Sequence, residues 1–204
     1  MLKILMIRHG KTEGNSLGKY IGVTEETLLE TEKEYLKNMN FPNVQGVYSS
    51  PRKRCLETAQ LLFPNKEAIV IPELSQCNFG RLEGKTYQEL KQNPEFKNWV
   101  VSSEIIAFPD GESRAEFQKR SIEGFFKVIS DACSKHMDNI AMVVHNGTIM
   151  SILDAFGFPS QGYTAWGLEP AEGYRVRISQ DAFLKDEDNI REMIVDRKII
   201  RDDK

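Results

Sequence analysis

The chain opens on an apolar run, Leu2-Lys3-Ile4-Leu5-Met6-Ile7, that stops abruptly at Arg8-His9-Gly10. A short Ile- and Leu-rich run of this kind predicts a buried strand, central in an α/β sheet and covered on both faces. Comparable runs recur at Val44-Gln45-Gly46-Val47-Tyr48, Ala68-Ile69-Val70-Ile71 and Asn139-Ile140-Ala141-Met142-Val143-Val144. Helical spacing separates them. Leu28, Leu29, Tyr35, Leu36 and Met39 form the apolar side of a helix from Glu26 to about Asn38, with Thr24 as its candidate cap. Leu56, Ala59, Leu62 and Phe63 mark another, for which Ser50 and Pro51 supply the cap and first helical residue. A third, from Arg114 to Lys135, begins at a Ser113-x-x-Glu116 capping box and carries Phe117, Ile122, Phe125, Phe126, Ile129 and Cys133 on one stripe. Thr86 to Leu90 predicts a short helix, and Ile149, Met150, Ile152 and Leu153 predict one more. Tyr174–Ile178 and Glu192–Val195 alternate enough for two final strands, and Asp202 to Lys204 are predicted to fray. This alternation predicts a three-layer α/β sandwich, a mostly parallel central sheet with helices on both faces, formed by residues 1–204 as a single domain.

Composition narrows the class. With 204 residues, 40% apolar and 28% charged, the chain suits a globular protein with a substantial core. A net charge of −3 argues against a general nucleic-acid binder, and no apolar segment is long enough to cross a membrane. Cys55, Cys77 and Cys133 are widely spaced, without a C-x-x-C pair. That pattern fits neither a disulfide framework nor a structural zinc site, and it predicts a reducing cytoplasmic setting. With only three histidines, a His-rich metal centre is also disfavoured.

The chemistry lies at strand ends. In open α/β sheets ligands bind beyond the carboxyl ends of the strands. Arg8 and His9 place a fixed cation and an imidazole there, a pair suited to an anionic substrate and to nucleophilic or acid–base work. His145 leaves another buried strand in the same way, just before Gly147. Arg54 falls within the first turn of a helix, where free backbone N–H groups favour an anion. Taken alone, Arg52-Lys53-Arg54 reads as a solvated basic run and a strand-end histidine as a structural one; together they point to one site. Tyr163 and Trp166 sit in an aromatic, loop-like segment, where pocket lining and packing under the sheet both fit.

The string Arg8-His9-Gly10-x-Thr12-x-x-Asn15 after a buried strand resembles the signature of the histidine phosphatase superfamily, which includes phosphoglycerate mutases and many phosphomonoesterases. The resemblance continues through Ser49-Ser50-Pro51-x-x-Arg54-x-x-x-Thr58-Ala59, Leu74-x-Gln76-x-x-Phe79-Gly80-x-x-Glu83-Gly84, Asp110-Gly111-Glu112-Ser113 and Val143-Val144-His145-Asn146-Gly147. It implies a phosphoglycerate mutase-like fold and phosphoryl transfer through a phosphohistidine on His9, needing neither cofactor nor metal. Arg8, Arg54 and His145 would then stabilise the transferring oxygens and Asn15 would orient one of them. Thr12, Glu83 and Asn146 join Asn15 as substrate-binding candidates, Glu83 in a mainly structural part. Family members carry a glutamate general acid where this chain has Gln76. A carboxamide has no titratable proton, so Gln76 can donate hydrogen bonds but cannot shuttle a proton.

Residues 85–113 would form a lid that helps to select the substrate. The pattern is nearest to small phosphomonoesterases of the α-ribazole-phosphate phosphatase type, acting on a small phosphorylated metabolite, with the oligomeric state left open. Two alternatives stand beside this reading. One is a phosphoglycerate mutase, and the other is a phosphate-ligand-binding protein with little turnover.

Overall fold

The computed structural model describes residues 1–102, 107–185 and 193–199. Its centre is β1 (Leu2–Arg8), whose side chains alternate between two cores because strand side chains point to opposite faces. Leu2, Ile4 and Met6 enter one apolar cluster, and Leu5 and Ile7 enter the other. Each fully buried aliphatic side chain of this kind stabilises the fold by about 1.5–3 kcal/mol. The neighbouring strand β4 (Asn139–Val144) repeats the division, with Ile140, Met142 and Val144 on the first side and Ala141 and Val143 on the second.

The sheet also contains β2 (Gly46–Ser49), β3 (Ala68–Val70), β5 (Gly157–Phe158), β6 (Gly173–Ile178) and β7 (Met193–Ile199). Its order is β3-β2-β4-β1-β6-β7-β5. The pairs β2–β3, β2–β4, β1–β4 and β5–β7 are parallel, whereas β6 is antiparallel to both β1 and β7. Only β6 therefore runs against the others, which makes the sheet mixed and mostly parallel. Helices α6 (Arg114–Ser134) and α7 (Asn146–Phe156) cover one face through Phe125, Val128, Ile129, Ile149, Ile152 and Leu153. Helices α2 (Glu30–Lys37) and α3 (Lys53–Leu62) cover the other through Leu36, Cys55, Ala59 and Leu62. The three-layer α/β sandwich expected from the pattern is the architecture found.

Several boundaries move, each for a local reason. Helix α2 begins at Glu30, not Glu26, and Thr24 does not cap it. Residues 26–28 are drawn into other bonds: Glu26 accepts from the Gly14 N–H, the Leu28 N–H donates to Glu57, and Leu28 bridges Thr12 in antiparallel fashion. Helix α3 begins at Lys53, with Arg52 as its N-cap, two residues later than the Ser50-Pro51 signal. There the Glu25 carboxylate accepts from the Lys53 N–H at 2.9 Å, while the Ser50 hydroxyl is held elsewhere, by His145. The capping box of α6 forms as expected, with Ser113 and Glu116 exchanging bonds.

Thr86 likewise caps the short α4 (Tyr87–Leu90). The charged segment that follows, read without a helix in the sequence, forms α5 (Pro94–Ser102). Residues 103–106 of the expected lid and the terminal Asp202–Lys204 lie outside the described residues. A third apolar cluster, with Cys77, Leu82, Leu90, Phe96, Phe108 and Phe117, packs under residues 77–117. Trp166 is 1% exposed and belongs to the main core.

Candidate active site

Parallel pairing of β1 with β4 sets the site. Arg8 stands opposite Val144 in the register, and the His9 N–H donates to the Val144 carbonyl at 2.9 Å. The residues that leave the two strands are consequently neighbours, and the His9 and His145 rings meet edge to face with centroids 5.2 Å apart. Thr58 fixes the exit of β1 against α3: its hydroxyl accepts from the Gly10 N–H at 2.9 Å and donates to the Arg54 carbonyl at 2.7 Å.

The hydrogen bonds assign a tautomer to each ring. His9 Nδ1 lies 2.8 Å from the Gly10 carbonyl, which can only accept, so Nδ1 carries the proton and Nε2 keeps its lone pair. His145 is arranged in the opposite sense. Its Nδ1 lies 3.4 Å from Nη2 of Arg54, which can only donate, and its Nε2 lies 2.8 Å from the Ser50 hydroxyl. His145 therefore bears its proton on Nε2 and donates it to Ser50. Both rings are buried, at 3% and 0% exposure, next to fixed cations. Burial first, then the Arg54 and Arg8 charges, holds His9 well below the ordinary histidine pKa; burial and Arg54 do the same for His145. Each is a neutral imidazole at pH 7.

The arginines have different partners. The guanidinium of Arg8 donates through Nη1 to the Leu168 carbonyl, while its buried Nε has no hydrogen-bond partner. A desolvated donor facing a cavity with nothing to bond is a natural contact for an anion's oxygen. Arg54, 1% exposed, donates to the Thr24 carbonyl at 3.0 Å and to the Gly22 carbonyl at 2.9 Å. Glu83 takes the opposite side of the same peptides, its Oε1 accepting from Gly22 N–H at 2.6 Å and Thr24 N–H at 2.9 Å. This loop also requires glycine at position 22, because a Cβ there would lie 1.8 Å from the Cys77 carbonyl oxygen.

These groups surround a cavity of about 490 Å³ whose wall includes Arg8, His9, Asn15, Gln76 and Asn146. Of the other sequence candidates, Thr12, Arg54, Glu83 and His145 lie behind that wall. Thr12 is fully buried and caps α1 (Glu13–Ser16), exchanging bonds with Asn15 in a capping box. Asn15 uses Oδ1 for that cap and Asn146 uses Oδ1 to accept from the Leu168 N–H. Gln76 Oε1 accepts from the N–H of its neighbour Cys77 at 3.0 Å.

The structure adds residues that the sequence did not single out for chemistry. Ser50 orients His145. Lys19, Tyr20, Phe79, Arg114 and Phe117 line the cavity, together with Tyr163. Glu172, 6% exposed and paired with Lys198 at 3.0 Å, offsets part of the burial effect on Arg8, as does Glu169. Tyr163 had been flagged only as one of two aromatics in a loop. It joins the cavity, while Trp166 joins the core. No periodicity marks Arg114, the first residue of a long helix.

Comparison with known proteins agrees with this geometry. The family model described as Histidine phosphatase superfamily (branch 1) matches residues 4–190. Phosphoserine phosphatase 1 of Hydrogenobacter thermophilus is 28% identical over 152 residues, covering 71% of this chain and 70% of the relative. Adenosylcobalamin/alpha-ribazole phosphatase of Escherichia coli K12 is 28% identical over 170 residues, covering 78% and 82% of the two chains. The crystal structure of the alpha-ribazole phosphatase from Shigella flexneri superposes with a TM-score of 0.79 at 22% identity, over 98% of this chain and 96% of the other. That likeness carries the phosphoglycerate mutase-like fold.

Two buried neutral histidines imply a pH-dependent stability. Their folded-state pKa values are lowered, so below the unfolded value of about 6.5 the unfolded chain binds more protons than the native one. Their contribution is present in full above that pH and is lost as pH falls from about 6.5 toward the folded values, by up to about 1.4 kcal/mol per pH unit for each ring. Urea unfolding between pH 7 and 5 will show this loss, and His145→Asn will reduce the slope by roughly one proton. An unchanged slope would mean that His145 is charged in the native state.

Proposed function

The chain belongs to the histidine phosphatase superfamily, and on that premise we propose that it hydrolyses phosphomonoesters of small metabolites through a phosphohistidine on His9. The carrying observation is the pinned tautomer of His9: Nδ1–H is held by the Gly10 carbonyl inside a cavity that Arg8 also lines. The ring nitrogen left for the substrate is a neutral, unprotonated Nε2, the form that a nucleophile needs.

In the first step the Nε2 lone pair forms a bond to phosphorus as the bond from phosphorus to the ester oxygen breaks. The positive charge gained by the ring is shared with Nδ1–H and its carbonyl partner. Arg8, Arg54 and His145 hold the equatorial oxygens, and Asn15 orients one of them through its amide nitrogen. In the second step water attacks phosphorus, the P–N bond breaks, and its proton passes to solvent as inorganic phosphate leaves. The charge required is supplied by arginine side chains, so the reaction runs without a metal. Names of relatives such as phosphoserine phosphatase and alpha-ribazole phosphatase support hydrolysis as the outcome.

Gln76 occupies the place of the acid. It lines the cavity beside His9, yet its carboxamide cannot give the leaving alkoxide a proton. Glu83 does not replace it, because its carboxylate is turned to the backbone of Gly22 and Thr24. The enzyme should therefore favour esters whose leaving oxygen departs unprotonated.

Rapid quench with a labelled aryl phosphate should trap acid-labile phosphate on the wild-type protein and none on His9→Ala; turnover without a trapped phosphoenzyme, unaffected by His9→Ala, would end the phosphohistidine reading. Gln76→Glu should raise turnover of alkyl phosphates by at least about tenfold, with a smaller gain on p-nitrophenyl phosphate, since general acid catalysis is worth about 10²–10⁴-fold. Equal gains on both ester types would show that Gln76 limits something other than leaving-group protonation.

A further inference from the structure

The wall of the cavity away from His9 has its own chemistry. Arg114 lies flat over the Tyr163 ring, with its guanidinium carbon 3.8 Å from the ring centroid. Both residues line the cavity. Stacking fixes the plane of the guanidinium and leaves its N–H groups directed outward from the edge, the arrangement that binds carboxylate or phosphate through two bonds.

No anion of the protein satisfies this fork. Among the described residues Arg114 makes no ion pair, and no carboxylate lines the cavity. The acids nearest in sequence or across the helices are engaged elsewhere. Glu116 accepts from the Ser113 N–H and hydroxyl, Glu112 pairs with Arg120 at 2.8 Å, and Asp154 accepts from Gln118. The cavity thus contains a second cationic feature besides Arg8. Between them the wall is apolar and partly aromatic: Tyr20 and Phe79 meet edge to face at 5.3 Å, and Phe117 and Met150 complete the surface.

We infer that Arg114 is a specificity-determining residue for a leaving group with an apolar body and a second anionic end, a carboxylate or another phosphate. The phosphoryl group lies against His9 and Arg8, the apolar body lies along the aromatic wall, and the far anion takes the Arg114 fork. Tyr163 acts as a positioning residue, since its ring holds the guanidinium plane. This inference rests on the proposed phosphomonoesterase reaction for its orientation, though the recognition of the far anion can be measured without turnover.

The test compares phenyl phosphate with its meta- and para-carboxyphenyl analogues and with para-phenylene bisphosphate. For the wild-type protein, kcat/KM should be about 10- to 100-fold higher for at least one of the doubly anionic esters, the range expected of a charge-assisted bidentate contact. The carboxylate and bisphosphate arms show which anion the fork prefers. Arg114→Ala should bring the ratio of doubly to singly anionic esters to about 1, and Arg114→Lys should keep part of it. A merely structural role would lower all esters together and leave the ratio intact.

Isothermal titration with benzylphosphonate and carboxybenzylphosphonate reads the same preference without catalysis. An Arg114-dependent preference in binding without hydrolysis of any ester would sustain the inference and overturn the phosphatase reading. No preference in the wild-type protein, or one that survives in Arg114→Ala, would overturn the inference itself.

Discussion

The register between β1 and β4 is the constraint on which the rest depends. Parallel strands carry evenly spaced bonds along their length, so once Arg8 pairs with Val144 the next residues, His9 and His145, emerge side by side. A slip of one residue would turn every side chain of β1 to the opposite face. Leu5 and Ile7 would then have to exchange cores with Ile4 and Met6, which the two-sided burial of this strand strongly opposes. The catalytic geometry is in this sense a by-product of hydrophobic pairing far below it.

Around that pair the charges are buried at a cost that the local bonding offsets. Removing a guanidinium from water is expensive unless its donors are satisfied. Arg54 meets this by donating to carbonyls of the loop at 21–24, and Glu83 secures the N–H side of the same peptides. Arg8 is satisfied only in part, with Nε unpartnered in the cavity wall. The positive field of both arginines, together with burial, keeps His9 and His145 neutral. Opposite tautomers then give the two rings different work: one offers a lone pair, and the other is locked between Ser50 and Arg54.

Much of this was legible in the residues. Strict burial of β1 and β4 follows from their apolar runs, and the strand-end position of Arg8, His9 and His145 follows from where those runs stop. The Ser113 capping box was equally plain, because it is a local device of four residues. What local reading could not supply were bonds from distant parts of the chain. The start of α3 is set by Glu25 and that of α2 by contacts of Glu26 and Leu28, so both helices begin later than their sequence signals. Ser50 looked like a cap because Ser-Pro usually is one, and only the fold brings His145 to it. Arg114 carries no local signal at all. Its significance comes from Tyr163, on a separate segment of the chain, beneath its guanidinium.

The protonation states of the two histidines are the most direct point of test. Long-range ¹H–¹⁵N correlation spectra of the ¹⁵N-histidine-labelled protein at pH 6 resolve the protonation of each ring nitrogen, at a pH where an unperturbed histidine is mostly charged. The expected result is two neutral rings of opposite tautomer, His9 with its proton on Nδ1 and His145 with its proton on Nε2. An imidazolium at His9, or a His9 proton on Nε2, would leave no lone pair for phosphorus and would contradict the nucleophilic role of that residue.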